Sequence, residues 1–598
     1  MEKRNIQHSL RFYFTIIMIM LFFVSCEKYL DKAPEAALTE KEIFGNFISF
    51  QGFVEGMYNC VVNYPQASIP CHYLKADETL NNTPLNFDQG DYWAQGDYLY
   101  LYGIPASTDN APRTKKVWPL SWYGIRKANM ALSNLDLMTN ATQEEKDVIK
   151  GQALFFRGWF HFELMRYWGG MPYIDKVLPT EGDILLPRLN YRETALKAAQ
   201  DFEDAAALLP VDWDDTEVGS ATLGNNRQRI SKVMALAFLG KNLLFAASPM
   251  MNEESTGING YDTELCQRAA AAFAEVIRIS NESGAYALQS WASWTDNFWV
   301  WTPGNSIYSG GTEVIMNSPN FYPEGVRWSQ VLLTLPPLMG GGGSGAEVPT
   351  HNYIKNYAMA NGLPIDDPLS GYDPNDPWTN RELRFYKDII IDGDRLVEIG
   401  NAGLDQFAQL YNGGRHRVGT GSVTGYYYKK FSPIGCNQWD KKYDNFQAYV
   451  PFMRLADVYL MYAEAVLHGY GTPSSSVPGS ITAVEAVNTI RNRAQLPNLE
   501  SRYTSTNDAF MGEIIRERAV ELAFEGQRFD DLRRWNLSGD LKYKNKTGVL
   551  FDRDTDGKPI NIVEVVLVTR TAEKKHNWLP IEPKFTQMYS GFQQNPGW

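Results

Sequence analysis

Residues Gly512 to Trp535, GEIIRERAVELAFEGQRFDDLRRW, set three carboxylates one turn apart on a segment with a helical apolar face. Met511, Ile515, Ala519 and Leu522, flanked by Ile514 and Val520, keep the three-and-four spacing that buries one side of a helix. Gly526 is where such a helix stops. Glu517, Glu521 and Glu525 are successive i+4 neighbours. Like charges at that spacing weaken an isolated helix by roughly 0.2–0.5 kcal/mol per pair. A fold that keeps them must bring cations to them. Arg528, Arg533 and Arg534 follow directly, and guanidinium forks suit bidentate pairing with carboxylates. Acid–base chemistry is the weaker reading, because neighbouring arginines depress the carboxylate pKa that a general acid needs raised. The stretch predicts a structural ion network.

Helical periodicity elsewhere comes in pairs. One pair spans about 120–138 (Ile125, Ala128, Leu132, Leu135) and 144–168 (Ile149, Ala153, Phe156, Phe160, Leu164). A second spans about 192–209 and 230–247, with a further helix at 265–279; the last set is 455–467, 483–494 and the acidic helix. Pro210, Pro249 and Gly169-Gly170 punctuate the ends. Helix pairs stacked by their apolar faces predict a mainly α, tetratricopeptide-like helical-hairpin scaffold with long irregular loops and a few short β-hairpins.

ERAVELAFEGQRFDDLRRW resembles the C-terminal signature of the SusD/RagB family, glycan-binding lipoproteins on the outer surface of certain Gram-negative bacteria. It departs at Ala519, where the family carries arginine, and at Phe529-Asp530, where an aromatic pair is common. Trp118 to Leu135 (WPLSWYGIRKANMALSNL), Gly151 to Pro172 (GQALFFRGWFHFELMRYWGGMP) and Arg454 to Ala465 (RLADVYLMYAEA) look like further family segments. So do Ala486 to Pro497, Leu579 to Trp598 and Tyr357 to Phe385. The resemblance implies one SusD-like domain over 26–598, preceded by a lipoprotein signal at 1–25. Its scaffold segments are about 118–280 and 450–535, and its loop-rich ligand-binding segments about 59–117, 290–347 and 401–445.

The N-terminus fits that expectation on its own chemistry. Lys3, Arg4 and Arg11 precede an apolar run, Phe12 to Val24, too short for a bilayer, which takes about 20 helical residues. Ser25-Cys26 then resembles a lipobox, and Glu27 to Asp31 resembles the start of the mature family chain. Cys26 is the expected lipidation site, palmitate included, and several acyl chains give lasting anchorage. Net charge is −13, and removing residues 1–25 (three basic, one acidic) takes it to −15. That disfavours nucleic acid and any general basic field for polyanions. Of the five cysteines, Cys60, Cys71, Cys266 and Cys436 show no CxxC and no zinc spacing. Export would permit a Cys60–Cys71 disulfide; buried free thiols fit as well.

Sugars present a weakly apolar CH face ringed by hydroxyls, so proteins hold them on flat aromatics edged by polar groups. Two loops supply both. Asp77 and Asn81 lead into Tyr92, Trp93 and Tyr98; the other loop holds Trp291, Trp294, Trp299, Trp301 and Trp328. Asp77, Asn81, Tyr92, Trp93, Tyr98, Trp299, Trp301 and Trp328 are the candidate ligand-binding residues. Asp552, Asp554 and Asp556 before Gly557 resemble the start of a calcium loop, but the twelfth position is Val563 and Pro559 interrupts, so an acidic hairpin turn is the favoured reading. Structural Ca2+ is the weak alternative, and no other cofactor is expected. His161 lies in an HFE context, not HExxH, which excludes that metalloprotease pattern.

No catalytic constellation marks the chain as an enzyme. What the resemblance implies is a surface-exposed outer-membrane lipoprotein that binds oligosaccharide or polysaccharide and hands it to a TonB-dependent SusC-like transporter for nutrient uptake. A lipid-anchored glycoside hydrolase and a peptide-binding surface protein are the competing expectations.

Overall fold

The computed structural model describes residues 39–62, 76–81, 117–179, 181–182, 184–301, 311–317, 336, 339, 347–417, 419, 421–431, 433–442, 447–448 and 450–598. Cys26 and Cys71 lie outside the described residues.

A run of helices forms the frame: α1 Val117–Ser133, α2 Gln143–Trp168, α3 Tyr191–Leu208, α4 Lys232–Ala247 and α5 Thr263–Ser283. Each packs on the next. The chain then leaves through irregular loops and returns as α6 Leu455–Tyr470, which lies against α5, followed by α7 Ala483–Arg493, α8 Asn507–Glu521 and α9 Arg528–Arg534. Starts are set by local chemistry. Thr142, Asn190 and Thr482 each accept a backbone N–H from the glutamate three residues on, whose side chain returns the bond. Close approach of α4 and α5 requires a residue without a side chain. A Cβ on Gly240 would sit 2.5 Å from the Phe273 ring, inside van der Waals contact.

Two apolar cores result. The larger joins the helical frame to the C-terminal segment through residues such as Trp159, Phe238, Phe273, Tyr462 and Trp578. The smaller gathers the inserted loops around Tyr357, Phe385, Tyr427 and Phe551. Ala519 and Val520 of α8 belong to the second core, Phe510 and Ile514 to the first. The last part of the acidic helix, 516–521, therefore lies between the two and is buried on all sides, where its periodicity alone predicts one buried face; Met511 and Ile515 of that expected face are only half-buried.

Among the described residues there are five two-stranded antiparallel sheets. Only β9 Asn545–Arg553 with β10 Pro559–Thr569 is a local hairpin. The others, β1 Thr79–Asn81 with β4 Glu347–Pro349, β2 Trp299–Val300 with β7 Gln447–Ala448, β3 Val314–Asn317 with β8 Pro451–Arg454, and β5 Ile389–Ile390 with β6 Tyr427–Tyr428, join distant parts of the chain. β8 runs straight into α6, so its pairing with β3 holds a loop to the frame, while the other three clip loop to loop. Cys60, Cys266 and Cys436 are buried and unbridged. No single described helix is long and apolar enough to cross a membrane.

His161 is a packed histidine. It is fully buried on α2 and stacks on Tyr173 with ring centroids 3.9 Å apart. Nδ1 donates to the Arg157 carbonyl at 2.8 Å while Nε2 accepts the Ile174 N–H at 3.1 Å, a pairing that only the neutral ring can make. Burial accordingly pushes its pKa down to about 3. The unfolded chain binds this proton near pH 6.5 and the folded one does not. Stability from this ring is therefore complete above about pH 6.5 and falls as pH drops toward 3. His161→Asn should destabilise the protein at pH 7.5, and the gap to wild type should narrow by about 2 kcal/mol at pH 5. Urea denaturation at both pH values checks this; a constant gap refutes it.

Candidate functional site

Glu517, Glu521 and Glu525 are the centre of a buried charge lattice. Glu521 is wholly enclosed; Oε1 meets Arg454 Nη1 at 2.7 Å and the Arg493 guanidinium, and Oε2 meets Arg384 Nη1 at 3.1 Å. Glu517 takes Arg384 at 2.5 Å and Arg491 at 3.5 Å. Glu525 takes Arg454 at 2.7 Å and Lys430 at 2.8 Å. Glu313 bridges Arg454 and Arg493 at 2.6 and 2.9 Å, and Glu382 pairs with Arg384 at 2.7 Å. Five carboxylates thus face five cations: Lys430, Arg384, Arg454, Arg491 and Arg493. Burial alone would raise the pKa of Glu521, but the pull of Arg493, Arg454 and Arg384 overrides it and holds the group far below the usual carboxylate range.

The arginines that follow the acidic row do not serve it. Arg528 pairs with Asp77 at 2.8 Å, Arg533 with Asp530 at 2.6 Å, and Arg534 with Asp531 at 2.9 Å and with Glu464. Arg528 and Arg534 tie α9 to Asp77 and Glu464, far away in sequence, while Arg533 pairs within the helix. The expectation that they neutralise Glu517, Glu521 and Glu525 is corrected: α8 ends at Glu521, and a turn over 522–526 separates it from α9, whose arginines find other carboxylates.

The lattice also carries a set of indoles. Trp294 is fully buried, stacks on Trp291 with centroids 5.6 Å apart, meets Phe298 edge-on at 5.0 Å, and points Nε1 at Glu521 Oε1 across 3.4 Å. Lys430 Nζ, already bound to Glu525, stands 5.0 Å from the Trp294 ring and 4.3 Å from that of Phe298. From this base β2 rises. Trp299 donates Nε1–H to the Lys430 carbonyl at 3.1 Å and meets Trp301 edge-on at 5.4 Å; both indoles are half-buried. The β2–β7 pairing fixes the strand that carries Trp299.

Polar groups edge these rings. Lys387 Nζ sits 4.3 Å over Trp291 and donates to its carbonyl at 3.0 Å. Lys442 Nζ stands 5.4 Å over Trp301 and pairs with Glu398. The neighbouring loop is held by Asp440, which accepts the N–H groups of Glu398, Ile399 and Gly400 at 2.6–2.8 Å. Its burial would raise its pKa, but the Asn437 amide and those N–H groups hold it at about 2. Lys387 and Lys442 were absent from the sequence-derived site; only their proximity to a tryptophan in space marks them, and no local spacing encodes that.

Of the predicted ligand residues, Trp299 and Trp301 come together. Asp77 is buried, with both oxygens on Arg528, and Asn81 is buried on β1 opposite Glu347. These two side chains face the interior, so the structure moves them from the ligand surface to the scaffold. Tyr92, Trp93, Tyr98 and Trp328 lie outside the described residues. Asp552, Asp554 and Asp556 fall at the β9–β10 turn. Asp554 accepts the N–H groups of Asp556 and Lys558, and Asp552 accepts from Asn412 and Asn561, which is turn chemistry. Among the described residues no group of three or more His, Cys, Asp or Glu is placed to hold a metal ion. Glu78 and Asp388 are pushed up to about 7 by burial first of all, yet both are enclosed in the interior.

Residues 306–598 match the sequence model of the SusD family, and residues 28–243 match a SusD-like model described as starch-binding associating with outer membrane. This chain belongs to the SusD/RagB family. A SusD-like protein P2 from Formosa agariphila is 22% identical over 537 residues, covering 88% of this chain and 91% of that protein. A SusD-like protein from Bacteroides fragilis shares the fold at TM-score 0.69, with 23% identity over 95% of this chain and 100% of the other. A SusD-like carbohydrate binding protein from the same species superposes at TM-score 0.62, with 18% identity over 92% of this chain and 99% of the other. The mainly helical, tetratricopeptide-like architecture of the SusD/RagB family is the one found here.

Proposed function

We propose that this SusD/RagB protein is a surface-exposed outer-membrane lipoprotein, anchored at Cys26, that captures an oligosaccharide or polysaccharide and passes it to a SusC-like TonB-dependent transporter. Mature residues 26–598 act as one unit in this reading. The observation that carries it is the pair of half-buried indoles, Trp299 and Trp301, edged by Lys442 and seated on a rigid charge lattice. Flat rings with polar edges bind sugars without making or breaking a bond. The family model described as starch-binding and the relative described as carbohydrate binding support the same ligand class.

Affinity gels containing neutral or acidic polysaccharides test the reading. At least one glycan should retard the wild-type protein, and Trp301→Ala should weaken that retention about tenfold, as truncation of one aromatic anchor does. The same preparation should release no reducing ends from the retarding glycan. Retention unchanged in the variant, or sustained release of reducing sugar, overturns the proposal.

A further inference from the structure

Among the described residues, the buried guanidinium groups are compensated with one exception. Arg166, Arg454, Arg518, Arg528 and Arg534 each meet a carboxylate. Arg381, which has none, donates to the carbonyls of Pro377, Ile354, Tyr357 and Ala358. Arg570 is 4% exposed, its Nε has no hydrogen-bond partner, and no carboxylate among the described residues forms an ion pair with it. An unpaired buried charge is among the costliest features a fold can hold.

Its surroundings add positive charge. The β9–β10 register pairs Asn545 with Thr569, and the Arg570 N–H donates to the Lys544 carbonyl at 3.0 Å. That brings Lys544 from one strand end beside Arg570 from the other. Arg570 is close enough to His576 to act on its charge. Of the acidic groups that follow or pack on this strand end, Glu573 lies 3.8 Å from Lys575, and Glu253 holds Lys574 at 2.7 Å. Two basic residues separated by a hairpin thus meet in a protein whose net charge is −13.

We infer that Arg570, with Lys544 and His576 beside it, forms a binding site for a tetrahedral oxyanion, phosphate or sulfate, free or carried on a larger molecule. A guanidinium fork matches two oxygens of such a group and Lys544 supplies further positive charge, while His576 stays neutral, its pKa lowered by burial and its Nδ1 accepting the Glu573 N–H. The site lies at the end of the hairpin opposite the Asp554 turn and owes nothing to the tryptophan cluster.

Titration of the full mature protein with sodium phosphate and with sodium sulfate, at ionic strength held constant with chloride, tests this. Saturable binding is expected, at least about tenfold weaker in Arg570→Gln, with Arg570→Lys intermediate because it keeps charge and loses the fork. Thermal unfolding guards against a folding defect. In chloride alone Arg570→Gln should melt no lower than wild type, and wild type should overtake it once phosphate is added. Sulfated monosaccharide and vesicles of phosphorylated lipid, each competed against inorganic sulfate, distinguish the carriers. A response to phosphate and sulfate that is non-saturable, or equal in wild type and Arg570→Gln, overturns the inference.

Discussion

Glu521→Ala is expected to lower the stability of this SusD/RagB protein by about 3–5 kcal/mol, the cost of leaving a buried cation without its counter-charge. Three guanidinium groups, Arg384, Arg454 and Arg493, converge on this one carboxylate in the interior. Removing it leaves five cations facing four carboxylates, and no group is wet enough to disperse the excess. Glu521→Gln keeps the shape and one acceptor oxygen, so it should fall between wild type and alanine. Adding Arg493→Ala to Glu521→Ala removes one surplus cation and should recover part of the loss, since groups in one network are coupled. Denaturant midpoints across this set give the answer. A cost below about 1 kcal/mol for Glu521→Ala would show that the lattice is not sealed from water.

The second large effect is expected at Trp294. This indole fills the space between Trp291 and Phe298, under Lys430, and its Nε1 faces Glu521. Trp294→Ala should cost about 3–5 kcal/mol, as deletion of a buried aromatic does. It should also weaken glycan retention, although Trp294 is not itself exposed. The route is short: Lys430 loses the ring it stands over, and the Lys430 carbonyl is what the Trp299 indole N–H holds. Trp294→Phe keeps most of the volume and should restore binding more fully than stability. Loss of stability with retention unchanged would separate the lattice from the tryptophan pair and refute the coupling.

Much of the frame was legible because its signals are local. The helices expected near 144–168, 192–209 and 455–467 are observed at Gln143–Trp168, Tyr191–Leu208 and Leu455–Tyr470. Apolar spacing and capping residues lie within one turn of the ends they set. The end of α8 was not legible in that way. Gly526 marks a glycine stop, yet the helix ends at Glu521, because the last carbonyls are taken by distant cations. Arg454 Nη2 donates to the Glu521 carbonyl at 2.6 Å and Lys430 Nζ to that of Ala523 at 2.9 Å. Buried cations at a helix C-terminus satisfy its unpaired carbonyls and its dipole together. The turn they stabilise then swings Glu525 round to face both.

The candidate site divides along the same line. Aromatic residues in a loop predict a surface for sugars; what the structure shows of Trp299 and Trp301 is that both are half-open. Asp77 has the same polar-loop character in sequence, but its partner Arg528 comes from the other end of the chain. What the sequence by itself determined is whatever depends on neighbours a few residues away: helix identity, caps, the tryptophan-rich loop and the presence of a charge row needing cations. Which cations answer that row, and which loop residues face inward, was decided only by tertiary structure. A Coulombic pair is blind to separation along the chain and depends only on distance and on the exclusion of water.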